Sequence, residues 1–349
     1  MQCDLLRDIV NRACEFSRRD DFAQNCIFKV KSGVLEVRAS DGITGICITT
    51  IIGVDIKDLS CAVNAFALQA ILKAFDTSAD LTIKIVKNKL MIKDEESNEA
   101  GIPVMDEDTV FYIPKPQNWT QAPDGFADKI NTIRGMHFKS IKGMDKDNDD
   151  MIIIKDNDIS QLSRSVYVFE STDTNVTVCV EAKLLQKISN DIEEYCVENN
   201  RLYLKNSNEW CMISASSKPI PKYEILFTEV QKLNNSVIRI DSDVFLGFCE
   251  KLITLKKAEE YSILNANHSV RLEITKGVLK GITEVGNTQI QINNTDLNYN
   301  CAVVTDFIKA ITNKQFAKED VIELHIGKDM RLLLAICGTT RIMGVLCRV

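Results

Sequence analysis

The strongest constraint on this chain is a short pattern of residues that occurs three times. A run of small apolar residues, a polar residue and then spaced large apolar residues fills three segments: 61–71, 178–188 and 301–311. Val63, Val180 and Val303 occupy the same place in the three copies, so the spacings are 117 and 123 residues. Each spacing is the size of a compact domain, and a period of this kind settles the architecture before any single motif does.

Each copy reads as a strand that enters a helix. Large apolar residues recur at helical spacing in the first copy (Leu68, Ile71, Leu72 and Phe75) and in the second (Leu185, Ile188 and Ile192). Alternating runs then predict a β-hairpin after every copy, over 80–93, 195–204 and 321–334. The repeated unit therefore ends in strand, helix and hairpin.

A second helix and a second hairpin precede each copy. Apolar stripes predict the first and third of these helices, through Leu5, Ile9, Ala13 and Phe16, and through Phe245, Phe248, Leu252 and Leu255. A weaker stripe with Ile130, Ile133 and His137 predicts the second, over 126–138. Hairpins follow over 26–38, 151–159 and 270–280, with Ser-Gly, Asp-Asn and Lys-Gly at the turns.

These elements predict an α+β fold of three tandem domains, each with two helices on one face of antiparallel sheet. A helix on one face of a sheet can bury its apolar stripe there and leave its other face in water. We place the domains at 1–121, 122–232 and 233–349, because Gln-Ala-Pro-Asp and Glu-Val-Gln-Lys-Leu-Asn-Asn-Ser stretches interrupt the pattern near these positions.

Composition describes an ordinary globular chain with an acidic charge. The formal net charge is −7 and the pI about 5.3, which argues against a large basic surface that grips nucleic acid. The 12 cysteines include no Cys-x-x-Cys and several lie in apolar surroundings, so we expect reduced, buried thiols. Charges within the first residues and the lack of a long apolar run predict neither export nor membrane insertion, and hence a cytoplasmic protein.

An enzyme or metal site has little support in the sequence. The three histidines, His137, His268 and His325, are far apart and have no metal-ligand spacing, and no phosphate loop or nucleophile elbow occurs. The segment 145–156 imitates a calcium loop, but Asp150 stands where the turn needs glycine and an apolar strand pattern follows. We interpret it as a solvated loop and predict no cofactor, no metal and no catalysis.

The repeat resembles the bacterial DNA sliding clamp, the beta subunit of the DNA polymerase III holoenzyme, along essentially the whole chain. The resemblance is carried by segments 33–42, 112–116, 219–224 and 262–272 and by the carboxyl end, 345–349. One stretch departs from it: Arg-Ser-Val-Tyr-Val-Phe at 164–169 stands where the family has Thr-Asp-Gly-His-Arg-Leu. This pattern is that of a divergent member, such as a phage, plasmid or secondary clamp.

The resemblance implies a non-catalytic homodimeric ring that encircles double-stranded DNA and tethers the replicative DNA polymerase, the clamp loader and other replication or repair proteins. It assigns DNA-facing positions to cations on the helices: Arg7, Arg12, Arg18, Arg19, Lys73, Lys129, Arg134, Lys187, Lys251, Lys256, Lys309 and Lys314. It assigns a partner-peptide pocket to Val166, Tyr167, Phe169, Met343, Val345 and Cys347. It assigns the dimer interface to Ile102, Ile263 and Leu264.

Each of these residues also has a plainer explanation. A single Lys or Arg on an amphipathic helix is more often part of a solvated face, and a single apolar residue is as often ordinary core. A second reading of the whole chain also stays open at this point. It is a protein-interaction scaffold built from clamp-like repeats that does not encircle DNA.

Overall fold

The structure is a computed structural model. It describes residues 1–52, 57–136, 151–162, 166–217, 220, 236–263, 268–293, 296–313, 316, 318–326 and 332–347. The described part of the chain has five α-helices: α1 (Cys3–Glu15), α2 (Ala65–Leu72), α3 (Phe126–Gly135), α4 (Ser242–Ser262) and α5 (Thr305–Ile311). It also has short 3-10 helices at Asp21–Gln24, Glu107–Thr109 and Leu184–Lys187.

Strands make up most of the rest. In the first third they are β1 (Asn25–Lys31), β2 (Val34–Ser40), β3 (Thr44–Ile51), β4 (Leu59–Asn64), β5 (Thr82–Val86), β6 (Lys89–Lys93), β7 (Glu99–Pro103) and β8 (Thr120–Gln121). Next come β9 (Met151–Leu162), β10 (Val166–Glu181), β11 (Glu194–Glu198), β12 (Arg201–Lys205) and β13 (Glu209–Ser214). The last third has β14 (Ser236–Asp241), β15 (Ser269–Thr275), β16 (Val278–Thr283), β17 (Gly286–Gln291), β18 (Tyr299–Val304), β19 (Val321–Ile326), β20 (Leu332–Cys337) and β21 (Thr340–Cys347).

The strands form three antiparallel sheets. One has the order β4-β1-β2-β3-β13-β12-β11-β8, and a small one has the order β5-β6-β7. The largest has the order β14-β19-β20-β21-β18-β15-β16-β17, and the β9–β10 hairpin joins it where β10 pairs with β21. Helix α1 packs on β2 and β3, α3 on β9 and β10, and α4 on β16 and β17. The α+β class is thus confirmed, with helices against antiparallel sheet.

Two-residue turns join four of the six hairpins that the sequence predicts. Both turn residues have positive φ in each case: Ser32-Gly33, Lys87-Asn88, Asn199-Asn200 and Lys276-Gly277. A pair of left-handed residues is the type I′ geometry, whose twist matches that of the flanking strands. The hairpins β1–β2, β5–β6, β11–β12 and β15–β16 are therefore set by their turn residues.

Pairing between strands repeats along with the sequence. In each third, the residues just before the first helix pair with the chain after the second helical segment: Gln2 with Asp80, Thr120 with Tyr195, and Asp241 with Val321. The strand before α2 and the strand before α5 also have matching bridges, Ala62 to Met105 and Ala302 to Cys347. Val63, Val180 and Val303, which define the repeat, are all fully buried.

The second third departs from the sequence prediction at two places. The hairpin predicted over 151–159 is wrong, because β9 runs unbroken through Asp156 and pairs along its length with β10, which carries a bulge between Ser171 and Val176. A full helix through Ile192 is also wrong. The helical segment stops at Lys187, and Ser189, Asp191 and Asn206 then bond one another. Such side chains compete with helical hydrogen bonds.

Contacts between Cα atoms group the chain into two compact units. The first is Met1–Ala122 with Lys183–Ser216, and the second is Pro123–Ala182 with Ser217–Val349. Sheets explain this grouping, because β13 joins the sheet of β3 and β10 joins that of β21. The boundaries of the three sequence repeats therefore stay a prediction.

Candidate functional site

Arg7, in the first turns of α1, is bound by backbone carbonyl groups. Arg7 donates from Nε and Nη2 to the carbonyl oxygen of Leu72, at 2.9 and 2.7 Å, and from Nη2 to that of Phe75. These carbonyls belong to the last turn of α2 and the residues after it, where cations are favoured by unpaired carbonyl groups. Arg7 therefore holds α1 against α2.

Arg12 forms an ion pair with Glu209 of β13. Its Nη2 lies 2.6 Å from Oε1 of Glu209, its Nε lies 3.0 Å from Oε2, and Glu15 binds the same guanidinium. A fork of this kind fixes the direction of the side chain as well as its position. The structure thus places Arg12 in a tie between the helix and the sheet of the first compact unit.

Asp41 forms ion pairs with two more of the predicted cations. Arg18 Nε lies 3.2 Å and Lys187 Nζ 3.4 Å from Oδ2 of Asp41, while Oδ1 accepts the N–H groups of Ile43 and Thr44. Burial raises the pKa of this carboxyl, but the bond from Thr44 and the Lys187 charge outweigh burial, so the pKa lies below its ordinary value. Asp41 is therefore an anionic anchor for the turn between β2 and β3.

The remaining cations fall into three groups. Four have exposed side chains: Arg19, Lys73, Lys251 and Lys309. Lys129 and Arg134 on α3 are half-buried, and Lys314 lies outside the described residues. Lys256 is 2% exposed and pairs with Glu259, so its ammonium is not presented at the surface. Contact of these residues with DNA stays a prediction.

Tyr167, Phe169 and Met343 from the predicted pocket lie together. They belong to one apolar cluster of the second compact unit, with Leu162, Leu334 and the half-buried Ile220 and Ile336 around them. Tyr167 faces Met343 directly across the β10–β21 pair, and burial raises the pKa of its hydroxyl. The cluster offers an aromatic ring and a flexible thioether, the kind of lining that adapts to an apolar ligand.

The other predicted pocket residues differ in placement. Val166 is fully buried, and strand alternation directs it to the face of the sheet opposite to Tyr167. Val345 and Cys347 have described backbones only, paired with Leu332 and Ala302. The structure therefore brings three of the six predicted residues into one cluster.

Polar contacts set the register of β21 beside this cluster. Glu170 is 3% exposed and accepts hydrogen bonds from the hydroxyls of Thr339 and Thr340. Arg341 bonds Asp158 and Ser171, and its guanidinium lies 5.9 Å from the ring centroid of Phe169. These partners were missed in the sequence, because nothing in Glu170 or Asp158 signals a contact so far along the chain.

The predicted interface residues lie at two edges. Ile102 is in β7, the last strand of the small sheet, and is 2% exposed. Ile263 caps the carboxyl end of α4 and donates its N–H to the carbonyl oxygen of Glu259. Leu264 lies outside the described residues.

Cysteines and acidic residues show no reactive constellation in the described part of the chain. Every cysteine whose side chain is described is free, and all but Cys14 are buried. Burial raises the pKa of Cys47 and Cys61 to about 11, so these thiols stay protonated at neutral pH. No group of three or more His, Cys, Asp or Glu side chains among the described residues could hold a metal ion. Most of the calcium-loop imitation, 145–150, lies outside them.

Solved structures of similar fold cover the chain from end to end. A Pseudomonas aeruginosa DNA polymerase sliding clamp with ligand has a TM-score of 0.80 at 11% identity, over 100% of this chain and 99% of that one. Caulobacter crescentus pol III beta has a TM-score of 0.78 at 12% identity, with the same coverage. A Helicobacter pylori beta clamp bound to a DNA ligase peptide has 0.77 at 12%, over 99% and 98%.

This chain has the fold of the bacterial sliding clamp. At such low identity the likeness extends to the fold alone. A scan against protein-family models finds no match, and neither does a search of the curated proteins. No described helix is both long enough and apolar enough to cross a membrane.

Proposed function

We propose that this protein is a DNA sliding clamp: two copies close head to tail into a ring around duplex DNA and tether a replicative polymerase and other replication or repair proteins to it. The clamp fold over the full length of the chain carries the proposal. The protein would hold DNA by enclosure and would perform no catalysis. An acidic net charge suits this mechanism, because retention by a ring needs few phosphate contacts.

Strand pairing within the chain supports the ring. The sheet strand β3 pairs with β13 from further along the chain, and β10 pairs with β21 in the same antiparallel manner. Met105, just after β7, bridges to Ala62 in the same way that Cys347 of β21 pairs with Ala302, so β7 is the counterpart of β21. The β15–β16–β17 meander repeats the pairing of β1–β2–β3, so β17 is the counterpart of β3. The outer edges of β7 and β17 have no partner strand in the described part of the chain.

A second copy can supply both missing partners. If β17 of one copy pairs with β7 of the other, the same contact forms twice around a two-fold axis and no edge stays open. Ile102 lies on β7, but its side chain is already buried within its own chain, so its interface role stays a prediction. The exposed cations Arg19, Lys73, Lys251 and Lys309, all on or beside helices, would then provide weak, non-specific contacts to the phosphates.

The cluster of Tyr167, Phe169 and Met343 is our proposed tether point for partner proteins. A short apolar peptide segment, such as one from the polymerase or the clamp loader, would dock there. The solved Helicobacter pylori beta clamp is bound to a DNA ligase peptide, which supports peptide binding as a property of this fold.

DNA topology provides the decisive test. The protein is loaded on nicked circular DNA and on the same DNA made linear, and the retained fraction is measured by gel filtration. A ring held by enclosure stays on the circle and slides off the free ends. Equal retention on both forms would contradict enclosure.

Oligomeric state separates the ring from the second reading, a clamp-like interaction scaffold that does not encircle DNA. Sedimentation velocity at micromolar concentration should give a dimer for the ring. A stable monomer that still binds partner peptides would favour the scaffold instead.

A further inference from the structure

A basic groove crosses the face of the first sheet that is turned away from α1. Glu209 on β13 reaches Arg12 of α1, so the next residue, Trp210, points to the opposite face. On that face a depression of about 440 Å³ is lined by Trp210, Trp119 and Pro116 among others, together with Lys115 and Lys205. All of these residues belong to the first compact unit.

The groove continues over the neighbouring strands. A second depression of about 430 Å³ shares Glu36, Arg38 and Thr49 with the first and adds Lys29 and Lys31. Strand pairing places Arg38 opposite Cys47, Cys47 opposite Trp210, and Trp210 opposite Lys205. One row of side chains therefore crosses four strands, with cations at both ends and an apolar middle.

Positive charge dominates this surface of an acidic protein. Five cations line the two depressions (Lys29, Lys31, Arg38, Lys115 and Lys205), against the single carboxylate of Glu36. Arg38 pairs with Glu36, and Lys205 pairs with Glu194. Lys29, Lys31 and Lys115 are exposed and have no ion pair in the described part of the chain. The groove thus has charge available for an anionic ligand.

The base of the groove is apolar and well packed. Trp210, Tyr203, Cys47 and Ile113 belong to one buried cluster, and the half-buried Trp119 packs against it. Trp119 meets Tyr203 edge to face, with ring centroids 6.5 Å apart, and Lys205 Nζ lies 5.3 Å from the centroid of Trp119. The tryptophans are therefore held in place before any ligand arrives.

We infer that this groove is a second docking site, distinct from the Tyr167 cluster, for a short acidic peptide with one apolar anchor. The anchor side chain enters between Trp119 and Trp210, where its burial drives binding. Acidic residues on either side of the anchor meet Lys115 at one end of the groove and Lys29 and Lys31 at the other. The site lies within one compact unit and needs neither ring closure nor DNA.

The contacts of the tryptophans favour a peptide over single-stranded nucleic acid. Sites for single strands use successive aromatic faces on which bases stack. Here Trp210 is 9% exposed, and Trp119 is engaged by Tyr203 and Lys205. The two tryptophans therefore line a pocket for one side chain and do not present exposed ring faces on which successive bases could stack.

Intrinsic fluorescence gives a direct readout, because Trp119 and Trp210 are the 2 tryptophans of the chain. The probe is a synthetic peptide with a single leucine flanked by aspartates, titrated into the full-length protein. We expect a saturable change in tryptophan emission that weakens as salt is raised. The same peptide with asparagine in place of aspartate should bind about tenfold more weakly.

Two lysine variants make a matched pair. Lys115→Glu reverses an exposed charge at the groove and should lower the affinity for the acidic peptide by about tenfold. Lys89→Glu reverses an exposed charge on β6, outside the groove, and should leave the affinity unchanged. Both sites are exposed, so both variants are expected to fold, which circular dichroism verifies.

Three results would overturn the inference. The first is the absence of a saturable response to the acidic peptide, and the second is equal affinity for the asparagine peptide. The third is tighter binding of oligothymidylate than of the peptide, which would make the groove a nucleic-acid site. DNA retention on circles is a separate measurement, so failure here leaves the proposed clamp function untouched.

Discussion

Lys256 and Glu259, three residues apart in α4, form an ion pair from which water is nearly excluded. Their side chains are 2% and 1% exposed, and Glu259 also accepts the N–H of Glu284 at 3.1 Å, in the turn between β16 and β17. The resemblance to sliding clamps assigned Lys256 to the DNA-facing set, as one more cation on a helix. Burial instead makes Lys256 the counter-ion of Glu259, and Glu259 is the residue that bonds the turn between β16 and β17 to the helix.

Removing one partner of this pair should be costly. Glu259→Leu leaves the Lys256 charge buried without a counter-ion, so we expect a loss of about 3 kcal/mol or more in the free energy of unfolding, measured with urea. The double variant Lys256→Met with Glu259→Leu should recover most of the loss, since a buried pair can be replaced by apolar groups. A loss below about 1 kcal/mol in the single variant would mean that the pair is hydrated in solution.

Asp41 predicts a pH dependence of stability. Its pKa in the folded protein lies below the ordinary value of about 3.9, so folding favours the carboxylate. This stabilisation is fully present above about pH 4 and is lost as the pH falls through the folded pKa. Unfolding free energies measured between neutral pH and about pH 3 should fall less steeply for Asp41→Asn than for the wild type. An unchanged slope in the variant would contradict this role.

Hairpins are the elements that the sequence predicts best. Type I′ turns need two residues of positive φ, and Ser-Gly, Lys-Asn, Asn-Asn and Lys-Gly all lie between alternating apolar runs. The second helical segment of the middle repeat was not predictable in the same way. Leu185, Ile188 and Ile192 have helical spacing, yet a polar network of Ser189, Asp191 and Asn206 ends the helix early. Asn206 comes from the turn between β12 and β13.

The turn of the β15–β16 hairpin can be improved. Lys276 has φ +50° ahead of Gly277, and Asn adopts this conformation more readily than Lys. Lys276→Asn creates the preferred Asn-Gly turn and should stabilise the protein by roughly 0.5 kcal/mol. Gly277→Ala, at φ +76°, should destabilise it by about 1–2 kcal/mol. Thermal unfolding measures both, and a stabilising Gly277→Ala would rule out the turn assignment.

At the scale of the whole molecule, the proposed ring depends on β7 and β17, two edge strands whose outer sides have no partner strand among the described residues. Exposed strand edges are sites for pairing with another chain, and most proteins block them. In β17 the side chains alternate between half-buried and exposed, and neither proline nor lysine lies in it to prevent pairing. In the part of the chain that the structure describes, nothing in β17 itself prevents pairing with a second copy.

Proline in β17 tests this arrangement. Adjacent residues of a strand direct their N–H groups to opposite sides, so one of Asn287→Pro and Thr288→Pro removes a donor from the outer edge and the other removes one from the β16 pair. The outer variant should weaken the dimer by about tenfold or more with little change in monomer stability, by sedimentation. Asn287→Ala and Thr288→Val retain the N–H and serve as controls. An intact dimer in both proline variants would exclude β17 from the interface.

The sequence by itself determined the repeat, the α+β class and most hairpins. These depend on short-range rules, the strand period of two and the turn residues of positive φ, which operate wherever the chain goes. Tertiary structure alone decided which cations are paired with a carboxylate or buried and which are exposed to solvent. Arg12 meets Glu209 across a separation of 197 residues, Lys187 meets Asp41, and Lys256 is buried, so helix position did not reveal their partners. Charges pair by proximity in space, and only the folded sheets bring these residues together.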